Sequence, residues 1–314
     1  MRESMTRARL IASLGSAAAA ACVPERARAG SAKVRIGALP SDVSAQPVYA
    51  QMQGFYAHGG LQAEIQTLAN GGAIIAAVAS GALDVGFGNL TSIAAARQRG
   101  IPVKIISPAS LYTSKAPVTV LVKARGSNLR SGADLRGKTI AVSTLRGELQ
   151  VGASAWIDKT GGDAAQTRFL EMPFSTMSAA LAVGRVDAAM ITEPALTVHK
   201  ASLELLSDAY SAIADEFLIG GFVVSDAWAR DNADAARRFA AVMAETARWA
   251  NAHHDETAAI LAKRSGLDDA VVRSMTRATY GEKLAADVVQ PVLDAAAKYG
   301  SLKQPMKAKD LIVT

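Results

Sequence analysis

Cysteine occurs once, at Cys22, so the body of the 314-residue chain has no disulfide and no CxxC pair for metal or thiol chemistry. Its stability has to come from burial, and with 50% hydrophobic residues the chain can form a large core. Aromatic residues make up only 5%, which suits tight alanine-rich packing of helices on sheets. No GxSxG, HExxH or Walker A sequence is present, which removes the commonest signatures of hydrolases, zinc peptidases and nucleotide-driven enzymes. Strong charge of one sign is also missing. The formal net charge is +6, but Arg2, Arg7, Arg9, Arg26 and Arg28 against Glu3 and Glu25 place half of it in residues 1–29. What remains is too little for a nucleic-acid binder, and no basic stripe interleaved with aromatics appears.

Those first residues read as an export signal. Arg2, Arg7 and Arg9 precede the apolar run Leu10–Val23, and Ala27-Arg28-Ala29 offers a small-residue cleavage site before Gly30. The run is too short to stay in a membrane as an anchor. Cys22 behind Ala19-Ala20-Ala21 raises the alternative of a lipid-tethered form.

The body is organised around Ala73–Ser92, which reads as a short apolar helix closed by Gly81, a buried strand Asp84–Gly88, and a loop whose Asn89 and Thr91 can cap the next helix. A second copy of this pattern lies at Ser178–Pro194, with Gly184 for Gly81 and Asp187 for Asp84. Two such units suggest two lobes. In open α/β sheets ligands sit beyond the carboxyl ends of the strands, so the two loops are expected to face one cleft.

Around these units the chain alternates strand and helix. Expected strands are Lys33–Leu39, Leu61–Leu68, Val103–Ser107, Thr139–Ser143 and Arg168–Met172, and expected helices start near Pro47, Glu148 and Ser175. The reading is an α/β fold with mostly parallel sheets. Val118–Lys123 and Leu218–Ser225 are β-branched and read as the two crossings between lobes, and residues 233–300 read as helical with breaks near Gly266 and Gly281. The expected division is 1–29 as signal, 33–123 with 218–314 as lobe I, and 124–217 as lobe II.

VRIGALP, the Gly71-Gly72 helix start, ALDVGFGN, LRGKTIAVSTLRG and VDAAMITEPA, in this order and spacing, make the chain similar to the substrate-binding proteins of ABC importers of the nitrate/sulfonate/taurine type. The resemblance implies a two-lobed periplasmic-binding-protein fold of type II with two hinge crossings. It also implies a monomer outside the cytoplasm that hands a small molecule to an inner-membrane permease, with no cofactor. One departure is Ser107–Pro117, SPASLYTSKAP, where a short Gly-rich turn is expected; it could reshape the cleft. An enzyme on the same fold, or the sensing half of a receptor, is the alternative.

Candidate ligand contacts are the loops where strands give way to helices: Ser41 and Asp42, Gly71 and Gly72, Asn89 and Thr91, Ser143, Thr144, Arg146 and Gly147, and Glu193. Helix N-termini present free N–H groups and partial positive charge, and Ser, Thr and Arg add donors, which favours a small organic anion such as a sulfonate or carboxylate. Local capping explains the same residue types, and Arg146 could instead pair with Glu148 or Gln150. Gly86-Phe87-Gly88-Asn89-Leu90-Thr91 mimics a dinucleotide turn, but the next strand ends at Ser107 without the acidic residue that site needs. His253-His254 with Asp255 and Glu256 reads as a solvated helix end, since adjacent helix positions diverge. Trp156, Trp228 and Trp249 are expected in packing; Tyr112, Phe174 and Phe222 lie nearer the expected cleft edges, where one could stack on a flat ligand, but core packing is the default for them too.

Overall fold

The computed structural model describes residues 31–68 and 70–313. The expected export signal and Cys22 lie outside the described residues.

Two five-stranded sheets share one strand order. The first holds β1 (Ala32–Ala38), β2 (Leu61–Thr67), β3 (Val85–Asn89), β4 (Val103–Pro108) and β12 (Gly220–Ser225), in the order β2-β1-β3-β12-β4. The second holds β6 (Thr119–Ala124), β7 (Thr139–Val142), β8 (Arg168–Glu171), β9 (Ala188–Thr192) and β10 (Leu203–Ser207), in the order β8-β7-β9-β6-β10. In each sheet the first three strands are parallel, and the fourth runs antiparallel to its neighbours. The α/β class is as expected, and the sheets, expected to be mostly parallel, are mixed.

Both strands expected as crossings are paired within a sheet. β6, which covers most of Val118–Lys123, pairs inside the second sheet, and β12 pairs inside the first. The chain leaves and returns through β5 (Ser110–Thr113) and β11 (Glu216–Leu218), which pair antiparallel with Tyr112 opposite Phe217. Beyond them the Ser114 amide donates to the Asp215 carbonyl at 3.0 Å. Ser107–Pro117 therefore supplies a crossing strand. A two-residue strand, β13 (Thr279–Tyr280), adds to β5 at the break expected near Gly281. β10 was also absent from the sequence reading, because its Leu-rich segment LELLS lacks strand alternation.

The helices are α1 (Gln46–Met52), α2 (Phe55–His58), α3 (Gly71–Ala79), α4 (Leu90–Gln98), α5 (Glu148–Lys159), α6 (Phe174–Ala182), α7 (Ala195–His199), α8 (Asp226–Asp231), α9 (Ala233–Ala252), α10 (His254–Ser265), α11 (Asp269–Ser274) and α12 (Ala286–Lys298). Among the described residues no helix is long and apolar enough to cross a membrane.

The repeated pattern does the same work in both halves. Gly81 and Gly184 end α3 and α6 with φ of 77° and 68°, a region that side chains disfavour. Asp84 and Asp187 then join the next strand to the sheet. The Asp84 carboxylate accepts the Arg35 amide at 2.8 Å while its own amide donates to the Arg35 carbonyl at 2.9 Å. Asp187 repeats this with Thr139 at 2.9 and 2.8 Å. Each carboxylate is also paired with a cation, Arg35 at 2.6 Å and Lys138 at 3.0 Å.

The glycines of the dinucleotide-like turn have a packing role. A Cβ on Gly86 would lie 2.3 Å from Ile74 Cγ2, and one on Gly88 would lie 2.8 Å from Ile93 Cγ1. They let α3 and α4 lie close on β3. Tyr112 and Phe222 take the packing role expected of them by default, buried in edge-to-face clusters with Tyr210 and with Phe87 and Phe239. Trp156 is buried, and Trp228 and Trp249 are partly buried against the core.

Because α3 cannot back away from β3 without disturbing the sheet, Gly86→Ala is expected to cost about 1–3 kcal/mol through overpacking. Urea unfolding of the variant against the parent measures it, and an unchanged midpoint would contradict this packing.

Candidate functional site

The carboxyl ends of the central strands open onto loops that start helices, as the sequence suggests. α3 begins under an Asn70 cap whose side chain accepts the Ala73 amide at 2.9 Å. Asn70 was missed in the sequence, although an Asn before two glycines is an ordinary cap signal. Asn89 sits at the N-cap of α4, but its side chain makes no cap bond, and Thr91 is buried in the first turn. Gly147 is the N-cap of α5.

These helix starts meet at a cavity of about 540 Å³. α3 contributes Gly72, Ile75 and Ala76, while α4 and its end contribute Thr91, Ser92, Ala95 and Arg99. From the half of the molecule built on the second sheet comes the loop Thr144–Gly147, and from the C-terminal segment come Gly300, Ser301 and Lys303. The floor is aliphatic. Three cations, Arg99, Arg146 and Lys303, line it with no Asp, Glu, His or Cys. None of the three is in an ion pair among the described residues. Ser301 adds a buried hydroxyl without a hydrogen-bond partner. A larger hollow of about 690 Å³ lies between α5 and α12, but it mixes Asp158, Asp287 and Asp294 with Lys159 and Lys298 and touches no strand-end loop.

Of the candidate residues, Gly72, Thr91, Thr144, Arg146 and Gly147 line this one cavity. Gly71 and Ser143 flank it in sequence without lining it, and Ser41, Asp42, Asn89 and Glu193 also lie outside the lining. Asp42 is taken up by the protein itself. Its carboxylate accepts two bonds from Arg277 at 2.9 Å, the Ala278 amide at 2.8 Å, and the hydroxyls of Tyr49 and Tyr280 at 3.1 and 2.9 Å. Burial works against the Arg277 charge, but the hydrogen bonds and charge of Asp42 outweigh it and raise the guanidinium pKa above its ordinary value. Sequence reading could not find Arg277, which lies 235 residues from Asp42. Ser41 keeps a buried hydroxyl with no partner.

Arg146 has φ of 57°, the only non-glycine positive φ among the described residues. Its amide donates to Gln150 Oε1 at 2.7 Å, and the neighbouring Leu145 amide donates to Glu171 at 2.8 Å, so the loop backbone is held while the exposed guanidinium is left unpaired. Glu148 does not pair with it. That side chain is buried at 4% exposure, and neither carboxylate oxygen has a hydrogen-bond partner. Burial raises the carboxyl pKa well above the usual carboxylate range, and the nearby Tyr210 hydroxyl is likewise raised, first by burial and then by the charges of Glu148 and Asp208. His253 stacks on Trp249, and no metal-holding group exists among the described residues.

The sequence model of a family described as NMT1/THI5 like matches residues 43–257. A Brucella abortus (strain 2308) chain with the provisional name of a binding protein is 24% identical over 92% of both chains. Among solved structures, the periplasmic aliphatic sulphonate binding protein SsuA of Escherichia coli superposes with a TM-score of 0.73 at 18% identity, over 90% of this chain and 92% of that one. The alkanesulfonate-binding SsuA of Xanthomonas axonopodis pv. citri, bound to MOPS, gives 0.73 at 20% identity, over 90% and 98%. The periplasmic nitrate-binding protein NrtA of Synechocystis PCC 6803 gives 0.70 at 14%, over 86% and 82%. The shared fold is the two-lobed one of periplasmic binding proteins.

Because burial raises the Glu148 carboxyl pKa in the folded chain above its unfolded value, that burial is tolerated at low pH and costs stability as pH rises above the ordinary glutamate range. Glu148→Gln is therefore expected to melt higher than the parent at pH 8, with the gap closing toward pH 4. Parallel melting curves across that range test it; a gap that widens at low pH would mean the carboxyl is charged when folded.

Proposed function

Because the chain belongs to the NMT1/THI5-like family, we propose that it is an extracytoplasmic solute-binding protein that captures a small organic anion, a sulfonate or carboxylate, and delivers it to an ABC permease. The observation that carries this is the cavity where helix starts from both sheets converge, with three unpaired cations and no carboxylate in its lining. An anion placed there gains the N-terminal partial charge of α4 and α5 and the fork of Arg146. Similar folds whose names state sulfonate and nitrate binding support the same ligand class.

The supporting geometry divides the chain into a lobe on the first sheet and a lobe on the second. Strand pairing favours boundaries near residues 114–118 and 213–215 over the sequence-based 123 and 218. Closure would bring the lobes together about β5 and β11. The reading includes export from residues 1–29 to the periplasm, with a lipid on Cys22 as the other form, and action as a monomer without cofactor or nucleic acid. The Ser and Thr hydroxyls of the lining have no His, Asp or Glu beside them in it to act as a base, which favours binding over catalysis.

Native mass spectrometry of the purified protein identifies the ligand, and calorimetry with it tests the site. Arg146→Ala is expected to weaken binding by about 1.5–3 kcal/mol, the worth of a charge-assisted hydrogen bond, or roughly ten- to a hundredfold. Arg146→Lys should recover only part, because a point charge cannot reproduce a bidentate fork. Equal affinities in all three proteins, or a cationic ligand, would refute the anion site. Secretion followed by N-terminal sequencing is expected to give a chain starting near Gly30; a lipid-modified Cys22 would establish the tethered form.

A further inference from the structure

Glu193 ends the strand segment of the second sheet's repeat, yet it lies outside the cavity lining. Its carboxylate has three partners. The Thr197 amide donates to Oε2 at 3.0 Å and the Thr197 hydroxyl to Oε1 at 3.0 Å, which fix the side chain locally. The third donor is the backbone amide of Thr276, at 3.3 Å to Oε1, from a segment 83 residues away.

That segment belongs with the first sheet. Arg277 and Ala278 are bonded to Asp42, which follows β1, through a buried ion pair and an amide at 2.8 Å. Tyr280 closes the anchor, donating its hydroxyl to the Asp42 carbonyl at 2.6 Å and its amide to Asn251 at 2.9 Å. A carboxylate at a strand end of the second sheet is thus bonded to a backbone amide fixed at a strand end of the first.

We propose that Glu193 is a positioning residue for ligand capture: with Thr276 it forms a latch that favours the closed arrangement of the two strand-end faces without touching ligand. The carboxylate is oriented before the contact forms, and a main-chain donor on an anchored segment loses little freedom on making it. One hydrogen bond to a charged acceptor shifts a two-state equilibrium by roughly ten- to a hundredfold. That biases the lobes toward closure without locking them, and ligand affinity then depends on the fraction already closed.

The test needs no ligand, so it stays readable if the anion reading fails. In the full chain with Cys22→Ser, spin labels on Ser80→Cys and Arg185→Cys, exposed positions near the ends of α3 and α6, report lobe separation by electron–electron resonance. With Glu193 intact the ligand-free protein should give chiefly one short distance. Glu193→Ala should add a longer one, raising the ratio of long to short distances tenfold or more, and Glu193→Gln, which keeps an acceptor oxygen, should lie between. Circular dichroism checks that each variant is folded. If Glu193→Ala does not fold, Glu193→Gln and Thr197→Val, which removes the orienting hydroxyl, are read instead and should both show the longer distance. Identical distributions in parent and folded variants, or a parent already mostly at the long distance, would overturn the latch.

Discussion

The two aspartate clamps set the frame on which everything else depends. Asp84 and Asp187 each exchange two hydrogen bonds with the backbone of the neighbouring parallel strand, at Arg35 in β1 and Thr139 in β7. A carboxylate that accepts a backbone amide and pairs with a cation fixes where the third parallel strand begins relative to the first. Register at the amino ends then decides which residues stand at the carboxyl ends, where the loops gather. A strand slipped by one residue would turn its buried face toward solvent.

A second constraint is electrostatic and non-local. Asp42 and Arg277 are both nearly buried, with side-chain exposures of 7% and 8%, and such a pair is favourable only when its remaining lone pairs and protons are satisfied. Here they are, by Tyr49, Tyr280 and the Ala278 amide. This ties the C-terminal segment to the loop after β1, so the last part of the chain becomes part of the cleft face.

Charge in the cavity follows from what has been removed as much as from what is present. Glu148 lies one residue after Gly147, where an ionised carboxylate would oppose an anion. The side chain is instead buried, and that burial raises its pKa above the usual carboxylate range. Arg146, held in the left-handed region by bonds to its own and its neighbour's amide, presents its guanidinium instead. An exposed guanidinium and a buried carboxyl thus flank one helix start.

The alternating strand and helix pattern, the duplicated Gly–Asp units and the loops at strand ends were legible because each depends on neighbours within a few residues. Periodicity, caps and left-handed glycines are local physics. That reached α3, β3, α5 and β9 to within a residue or two at most ends, and five of the residues that line the cavity. It did not reach β10, whose leucines carry no alternation, or the placement of β6 and β12, which hydrogen-bonding partners decide. Nor could it reach Asp42 with Arg277 or Glu193 with Thr276, separated by 235 and 83 residues. Which polar groups turn inward against one another and which remain for a ligand is decided only when distant segments compete for the same donors, because a buried acceptor takes whatever donor the fold brings within reach.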